Sequence, residues 1–212
     1  MKISLINVQI SEGNNIVPPL GILYIAAMLE QQGHEIQVFD IDPDVASCME
    51  QIKAFAPQII GLGCYTNTYP KARRLTEKLK QEFPQAIFVC GGVHATAKPV
   101  ETLRELRVDY LVYAEGERSM SRLVQCLDSG AHEEIASIKG LYYWKDGEIT
   151  YTGPPELIDD LDSIPFPARH LLDFRSYLAP PGMIRGHALD RITTIFTSRG
   201  CPYPCIYCAS HI

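Results

Sequence analysis

The sequence predicts an α/β fold: a doubly wound, parallel five-stranded sheet with helices on both faces. Two observations predict it. Five short apolar runs rich in β-branched residues are each followed by a segment of helical periodicity, and the connections between them are a few residues long. Parallel neighbours cannot be joined by a tight hairpin, so strands that alternate with helices demand crossovers and burial on both faces.

The first run, Ile3 to Val8, opens into a polar loop containing glycine, Gln9 to Val17. Pro18-Pro19 then starts a helix in which Leu20, Leu23, Tyr24, Ala27 and Met28 recur at three and four, with Gly33 as its stop. Glu35 to Asp40 is the second strand. Its helix begins near Pro43 and places Val45, Cys48, Met49, Ile52 and Phe55 on one face. Ile59 to Cys64 is the third strand, followed by a helix striped with Ala72, Leu75, Leu79 and Phe83; its basic residues lie mostly off that stripe and form a solvated face. Ala86 to Cys90 is the fourth strand. A short helix around Val100, Leu103 and Leu106 leads to the fifth, Asp109 to Ala114, and to a last helix burying Met120, Leu123, Val124 and Leu127. Right-handed crossovers leave few topologies for five such units, and the expectation is a Rossmann-like or flavodoxin-like domain over residues 1–135 with strand order 2-1-3-4-5.

Beyond it the period changes. Leu141 to Trp144 and Ile149 to Tyr151 flank Asp146-Gly147 and read as a β-hairpin. Six of the 15 prolines lie between Gly153 and Arg191, so residues 136–190 are expected to be hairpin plus wrapping linker. Ile192 to Thr197 is a β-branched run with no sheet of its own in the sequence. The expectation is that residues 191–212 begin a second domain, a barrel of which this run is the first strand, and that the sequence is a fragment.

Apolar content of 46% and charged content of 21% are ordinary for a soluble globular protein. A net charge of −6 argues against a nucleic-acid groove, which normally shows a basic stripe. No apolar run approaches the roughly 18 residues of a membrane span, and Met1-Lys2 leads straight into a strand, so neither a span nor a signal peptide is expected. Four of the seven cysteines (Cys48, Cys64, Cys90, Cys126) fall in apolar helix or strand patterns and read as reduced core residues of a cytoplasmic protein.

The other three, Cys201, Cys205 and Cys208, stand as C-x3-C-x2-C in Thr197-Ser-Arg-Gly-Cys-Pro-Tyr-Pro-Cys-Ile-Tyr-Cys208. Spacing this short puts three thiolates on one loop. An iron-sulfur cube used only for electron transfer takes four cysteines, so three leave one iron with an open site. Pro202 and Pro204 each fix a φ angle between the first two ligands. The alternative is zinc with His211 as fourth ligand, although structural zinc sites usually draw on two separated ligand pairs.

A second candidate site lies where open parallel sheets bind ligands, outside the carboxyl ends of the strands. The loops there are Cys64, Tyr65 and Thr66 after strand three, Gly91, Gly92, His94, Ala95 and Thr96 after strand four, and Glu115, Gly116 and Glu117 after strand five. Glycines let a bulky ligand approach the backbone, and hydroxyls and main-chain N–H groups anchor amides and phosphate. Tight strand-to-helix turns would use glycine equally well. No G-x-G-x-x-G follows the first strand and no G-x4-G-K-[ST] occurs, so a dinucleotide or nucleoside triphosphate is not favoured.

The cysteine loop resembles the cluster loop of the radical S-adenosylmethionine (radical SAM) family. Pro18 to Ala27, Gly91 to Thr96, Ala114 to Glu117 and Asp160 to Arg169, in that order, resemble landmarks of its cobalamin-binding branch. The resemblance implies a 4Fe-4S cluster on Cys201, Cys205 and Cys208, S-adenosyl-L-methionine at the open iron with Tyr207 near the adenine, and cobalamin at the carboxyl edge of the first domain. It further implies a low-potential electron donor such as flavodoxin or ferredoxin, and methylation or oxidative cyclisation of an unactivated carbon of a small molecule. D-x-H-x-x-G, which supplies an axial histidine in other cobalamin enzymes, is absent, so cobalamin without a histidine ligand is expected. Two other readings remain: a cobalamin-binding or sensing module without catalysis, and a radical SAM enzyme whose first domain no longer binds cobalamin. His170 and His187 fall in the linker, His34 and His132 read as surface positions near helix ends, and all four are taken as structural or solvated.

Overall fold

The computed structural model describes residues 1–8, 18–41, 46–177, 183–184, 187–188, 193–203 and 205–206. Elements follow the chain as β1 (Lys2–Val8), α1 (Leu20–Gln31), β2 (Glu35–Ile41), α2 (Ala46–Phe55), β3 (Ile59–Gly63), α3 (Tyr69–Glu82), β4 (Ile87–Gly91), α4 (Val93–Ala97), α5 (Pro99–Leu106), β5 (Tyr110–Val112), α6 (Glu117–Ser129), β6 (Leu141–Lys145) and β7 (Glu148–Tyr151). The sheet order is β2-β1-β3-β4-β5-β6-β7. The first five strands are parallel, in the expected order; β6 and β7 join antiparallel at the β5 edge. The hairpin is thus part of the sheet. Its turn is Asp146-Gly147, and Trp144 Nε1 donates to the Val108 carbonyl at 3.1 Å, tying it to the start of β5.

Alternation along β1 sorts the core into two layers. Ile3 and Leu5 of β1 pack with Leu23, Leu29, Leu123 and Val124 of α1 and α6, whereas Ile6 and Val8 pack with Leu75 and Leu79 of α3 and Leu103 and Leu106 of α5. Val45, expected on the second helix, lies outside the described residues; Phe83 is half-buried at the end of α3.

Three expectations change. The stretch 91–96 is not one open loop: Gly91 ends β4, Gly92 alone turns the chain, and α4 begins at Val93. His34 is buried, 9% exposed, with Nδ1 3.1 Å from the Met1 amino group. Residues 193–197 form no strand, and Ile192 lies outside the described residues. Strand geometry needs a neighbour to take its ladder bonds, and none is provided among the described residues. Here the Thr194 carbonyl instead accepts from the Arg169 guanidinium at 2.8 Å.

Between the hairpin and this arm, residues 153–177 follow the surface with short 3-10 turns at Leu161–Ser163, Arg169–Leu171 and Phe174–Tyr177. Ala168 is buried, and its N–H donates to the Leu23 carbonyl at 3.0 Å. Tyr177 donates to Asp40 of β2 at 2.5 Å, and Asn7 Nδ2 donates to the same carboxylate at 2.7 Å. The Tyr177 hydroxyl is held far above the usual phenol range, first by burial and then by that bond.

Candidate functional site

Because β1 to β5 are parallel, the segments that leave them converge on one edge. Gly63 ends β3 and Cys64 follows, 3% exposed, its thiol against that of Cys90 at the end of β4. The Cys90 thiol is pushed well above the usual range by its hydrogen bond with Cys64 and by complete burial, so it stays protonated, while the same bond lowers the Cys64 thiol. The chain then surfaces. Tyr65 is 49% exposed, Thr66 is exposed, and Thr68 locks the turn, accepting from the Tyr65 N–H at 3.0 Å and donating to its carbonyl at 3.2 Å.

Gly92 has φ +89°, a left-handed conformation that a side chain would strain, and a Cβ there would lie 3.4 Å from the Cys64 carbonyl. This turn seats α4 directly on the preceding loop, and the His94 N–H donates to the Cys64 carbonyl at 3.2 Å. The His94 ring is buried and stacks on Tyr69 with centroids 4.0 Å apart; Nδ1 is 3.2 Å from Thr66 Oγ1. Burial lowers its pKa, so it is neutral at pH 7. Ala95 is fully buried. Thr96 Oγ1 accepts from the Ala114 N–H at 3.0 Å, joining this turn to the one after β5.

After β5, Gly116 is buried beneath α1. A Cβ there would lie 3.0 Å from Ile25 Cδ1 and 3.2 Å from Val112 Cγ1, so close packing explains this glycine without a ligand. Glu115 and Glu117 turn toward the cysteine arm. The Arg199 guanidinium reaches Glu117 Oε1 at 2.6 Å and Glu115 Oε2 at 3.4 Å, and lies 5.2 Å over the Tyr24 ring.

The sequence-derived positions therefore divide. Cys64, Ala95 and Gly116 are turned into protein contacts, His94 and Thr96 brace one turn on another, and the two glutamates hold an arginine. Tyr65, Thr66, Gly92 and the 55% exposed Val93 remain as a half-apolar shelf that a flat ring system can approach. Cys201 is exposed and Cys205 half-buried, both free thiols, with a tight turn between them in which the Cys205 N–H donates to the Tyr203 carbonyl at 3.0 Å. Among the described residues no group of three or more His, Cys, Asp or Glu stands together to hold a metal ion. Cys208 and Tyr207 lie outside the described residues, as does His211. Arg199, Tyr24, Tyr69 and Tyr177 were not singled out by sequence reasoning as parts of this edge; their partners lie far along the chain, and no local pattern marks them. A polar cavity of about 540 Å³ opens elsewhere, between Gln32 and His34 on one side and Gln125 to Ser129 of α6 on the other.

A two-layered sheet with a ligand edge of this kind defines a nucleotide- or cofactor-binding α/β domain. The B12 binding domain family matches residues 6–124, more than half of the chain, and the chain belongs to that family. It is similar to an uncharacterized methyltransferase of Pyrococcus horikoshii, 33% identical over 92% of this chain and 41% of that one. It is also similar to the anaerobic magnesium-protoporphyrin IX monomethyl ester cyclase of Synechocystis sp., 32% identical over 91% of this chain and 38% of that one. The chain thus spans about two fifths of the length of these two relatives. Among solved structures, the cobalamin-dependent S-adenosylmethionine radical enzyme OxsB, with aqua-cobalamin and S-adenosylmethionine bound, superposes over 98% of this chain and 28% of its own at a TM-score of 0.80 and 19% identity, a likeness of fold. The chain thus shares its B12-binding domain with relatives named as a methyltransferase and a cyclase. No helix among the described residues is long and apolar enough to cross a membrane.

Proposed function

We propose that this chain is the cobalamin-binding domain and the beginning of the radical SAM domain, from about residue 191, of a cytoplasmic enzyme that methylates or oxidatively cyclises an unactivated carbon of a small molecule. The observation that carries the proposal is the docking of the arm before Cys201 against Glu115 and Glu117, which brings the cysteine loop to the edge where the loops after β3, β4 and β5 converge. A cluster that starts a radical and a cofactor that delivers or receives a group must act on the same substrate carbon, so they belong on one edge.

Cys201, Cys205 and Cys208 would hold three irons of a 4Fe-4S cluster, leaving the fourth for S-adenosyl-L-methionine, with Tyr207 beside the adenine. Tyr65, Thr66, Gly92 and Val93 would line the face of cobalamin. When bound, the cluster and S-adenosyl-L-methionine supply a carbon-centred radical, cobalamin supplies the methyl group, and a flavodoxin or ferredoxin supplies the electron. The chain binds and orients these groups and excludes water between them. His94, neutral and stacked on Tyr69, braces the shelf, and cobalamin would bind without a histidine ligand.

The test uses the full-length protein prepared without oxygen and reconstituted with iron and sulfide. The expected result is about four irons per chain, loss of the cluster in Cys201→Ala, Cys205→Ala and Cys208→Ala but not in Cys126→Ala, and retention of added cobalamin through gel filtration. No iron, or a cluster that survives all three substitutions, would refute the radical SAM reading; iron without cobalamin would refute the cobalamin half alone.

A further inference from the structure

We infer that Arg199 is a positioning residue, the pin that fixes the cysteine loop on the carboxyl edge of the B12-binding domain, and that Glu115 and Glu117 serve it instead of touching a cofactor. The inference rests on the proposed function for its purpose, but its geometry is independent of it.

Three elements meet at one guanidinium. Glu117 is the first residue of α6, where the helix's free N–H groups favour a carboxylate, and its side chain is only 5% exposed. Glu115 approaches the other terminal nitrogen from the preceding turn, and Tyr24 of α1 presents its ring to the guanidinium. The planar fork of arginine can address two carboxylates and a ring at once; a lysine, as a point charge on a flexible stem, cannot. The Arg199 side chain is 18% exposed, so solvent screens these contacts weakly. Phe196, three residues earlier, lies 6.4 Å from the same Tyr24 ring, and Arg169 holds the Thr194 carbonyl. The arm is therefore held at three successive points.

The residues just beyond Arg199 give the pin its use. Gly200, immediately after the anchored residue, has φ +72°, a left-handed conformation that a side chain would strain, and Cys201 emerges exposed. Pro202 confines Cys201 to extended backbone. With a side chain fixed at 199 and Cys201 only two residues further on, the ion pair sets where the loop stands relative to the shelf at Tyr65 and Val93.

The experiment has two arms. In the chain itself, trypsin cleavage of the Arg199–Gly200 bond is timed by mass spectrometry, because the protease must take the arginine side chain into its own pocket. Glu115→Gln and Glu117→Gln are each expected to speed that cleavage about tenfold or more, as charge-assisted bonds to arginine are lost, while cleavage after Arg104 serves as an internal reference. Equal rates in wild type and both variants would overturn the pin; Glu115→Gln, at the more exposed carboxylate, keeps the test decisive should Glu117→Gln fold poorly. In the full-length reconstituted protein, Arg199→Ala is expected to retain the cysteine-bound iron yet release it to a chelator about tenfold faster, with partial rescue by Arg199→Lys. Unchanged release in Arg199→Ala would overturn the positioning role. A wild-type protein without iron would overturn the proposed function and the purpose of the pin together, while the trypsin rates would still report whether the ion pair holds the arm.

Discussion

Gly116 separates a structural glycine from a ligand-facing one, and its replacement by alanine can be worked through. Its backbone, φ −100° and ψ −9°, suits alanine, so reduced freedom of the unfolded chain would add about 0.4–1 kcal/mol of stability. Against that, the new methyl would stand 3.0 Å from Ile25 Cδ1 and 3.2 Å from Val112 Cγ1, where carbon pairs prefer about 3.5–4.0 Å. Overpacking of this kind costs about 1–3 kcal/mol. The net expectation is a loss of about 1 kcal/mol, or about 0.5 M in the urea midpoint if the slope is about 2 kcal/mol/M. Ile25→Val removes the closer of the two atoms, so the double variant should be about as stable as Ile25→Val alone, a coupling read from a double-mutant cycle by far-UV circular dichroism. Unchanged stability in Gly116→Ala together with loss of cobalamin from the full-length protein would refute the packing account and restore Gly116 to the ligand.

Other outcomes rest on the same contacts. Leu23→Ala, at a fully buried position of α1, should cost about 2–5 kcal/mol in urea denaturation, and a smaller loss would mean that α1 does not seal this layer. Burial holds His34 and His94 below the ordinary histidine value of 6.5, so below that pH the unfolded chain binds protons that the native one refuses; stability should fall as pH drops from about 7 to 5, and the slope should shrink in a His34→Gln, His94→Gln variant. Trp144, the single tryptophan, sits in the hairpin that extends the sheet, so its fluorescence should report the same urea midpoint as circular dichroism; an earlier fluorescence transition would show that β6 and β7 fray separately.

The parallel strand order was legible from the chain because burial periodicity is local: each apolar run and each helical stripe carries its own record of which side is covered. Cys201, Cys205 and Cys208 fall within one short stretch, a spacing that belongs to the chain itself, and the cluster assigned to them is the proposal made above. The hairpin was readable at Asp146-Gly147, but its attachment to β5 was not, because an edge accepts any strand whose register buries the right face. Nor could the sequence divide the glycines and acids of the carboxyl edge. Gly92 and Gly116 look alike as letters, yet one is exposed at a left-handed turn and the other is pressed beneath Ile25. Glu115 and Glu117 read as ligand contacts until the fold brought Arg199 to them. Local pattern determined which elements form and which residues carry reactive groups; only the tertiary structure decided which of those groups are already engaged, because a charge finds its partner through space and not along the chain.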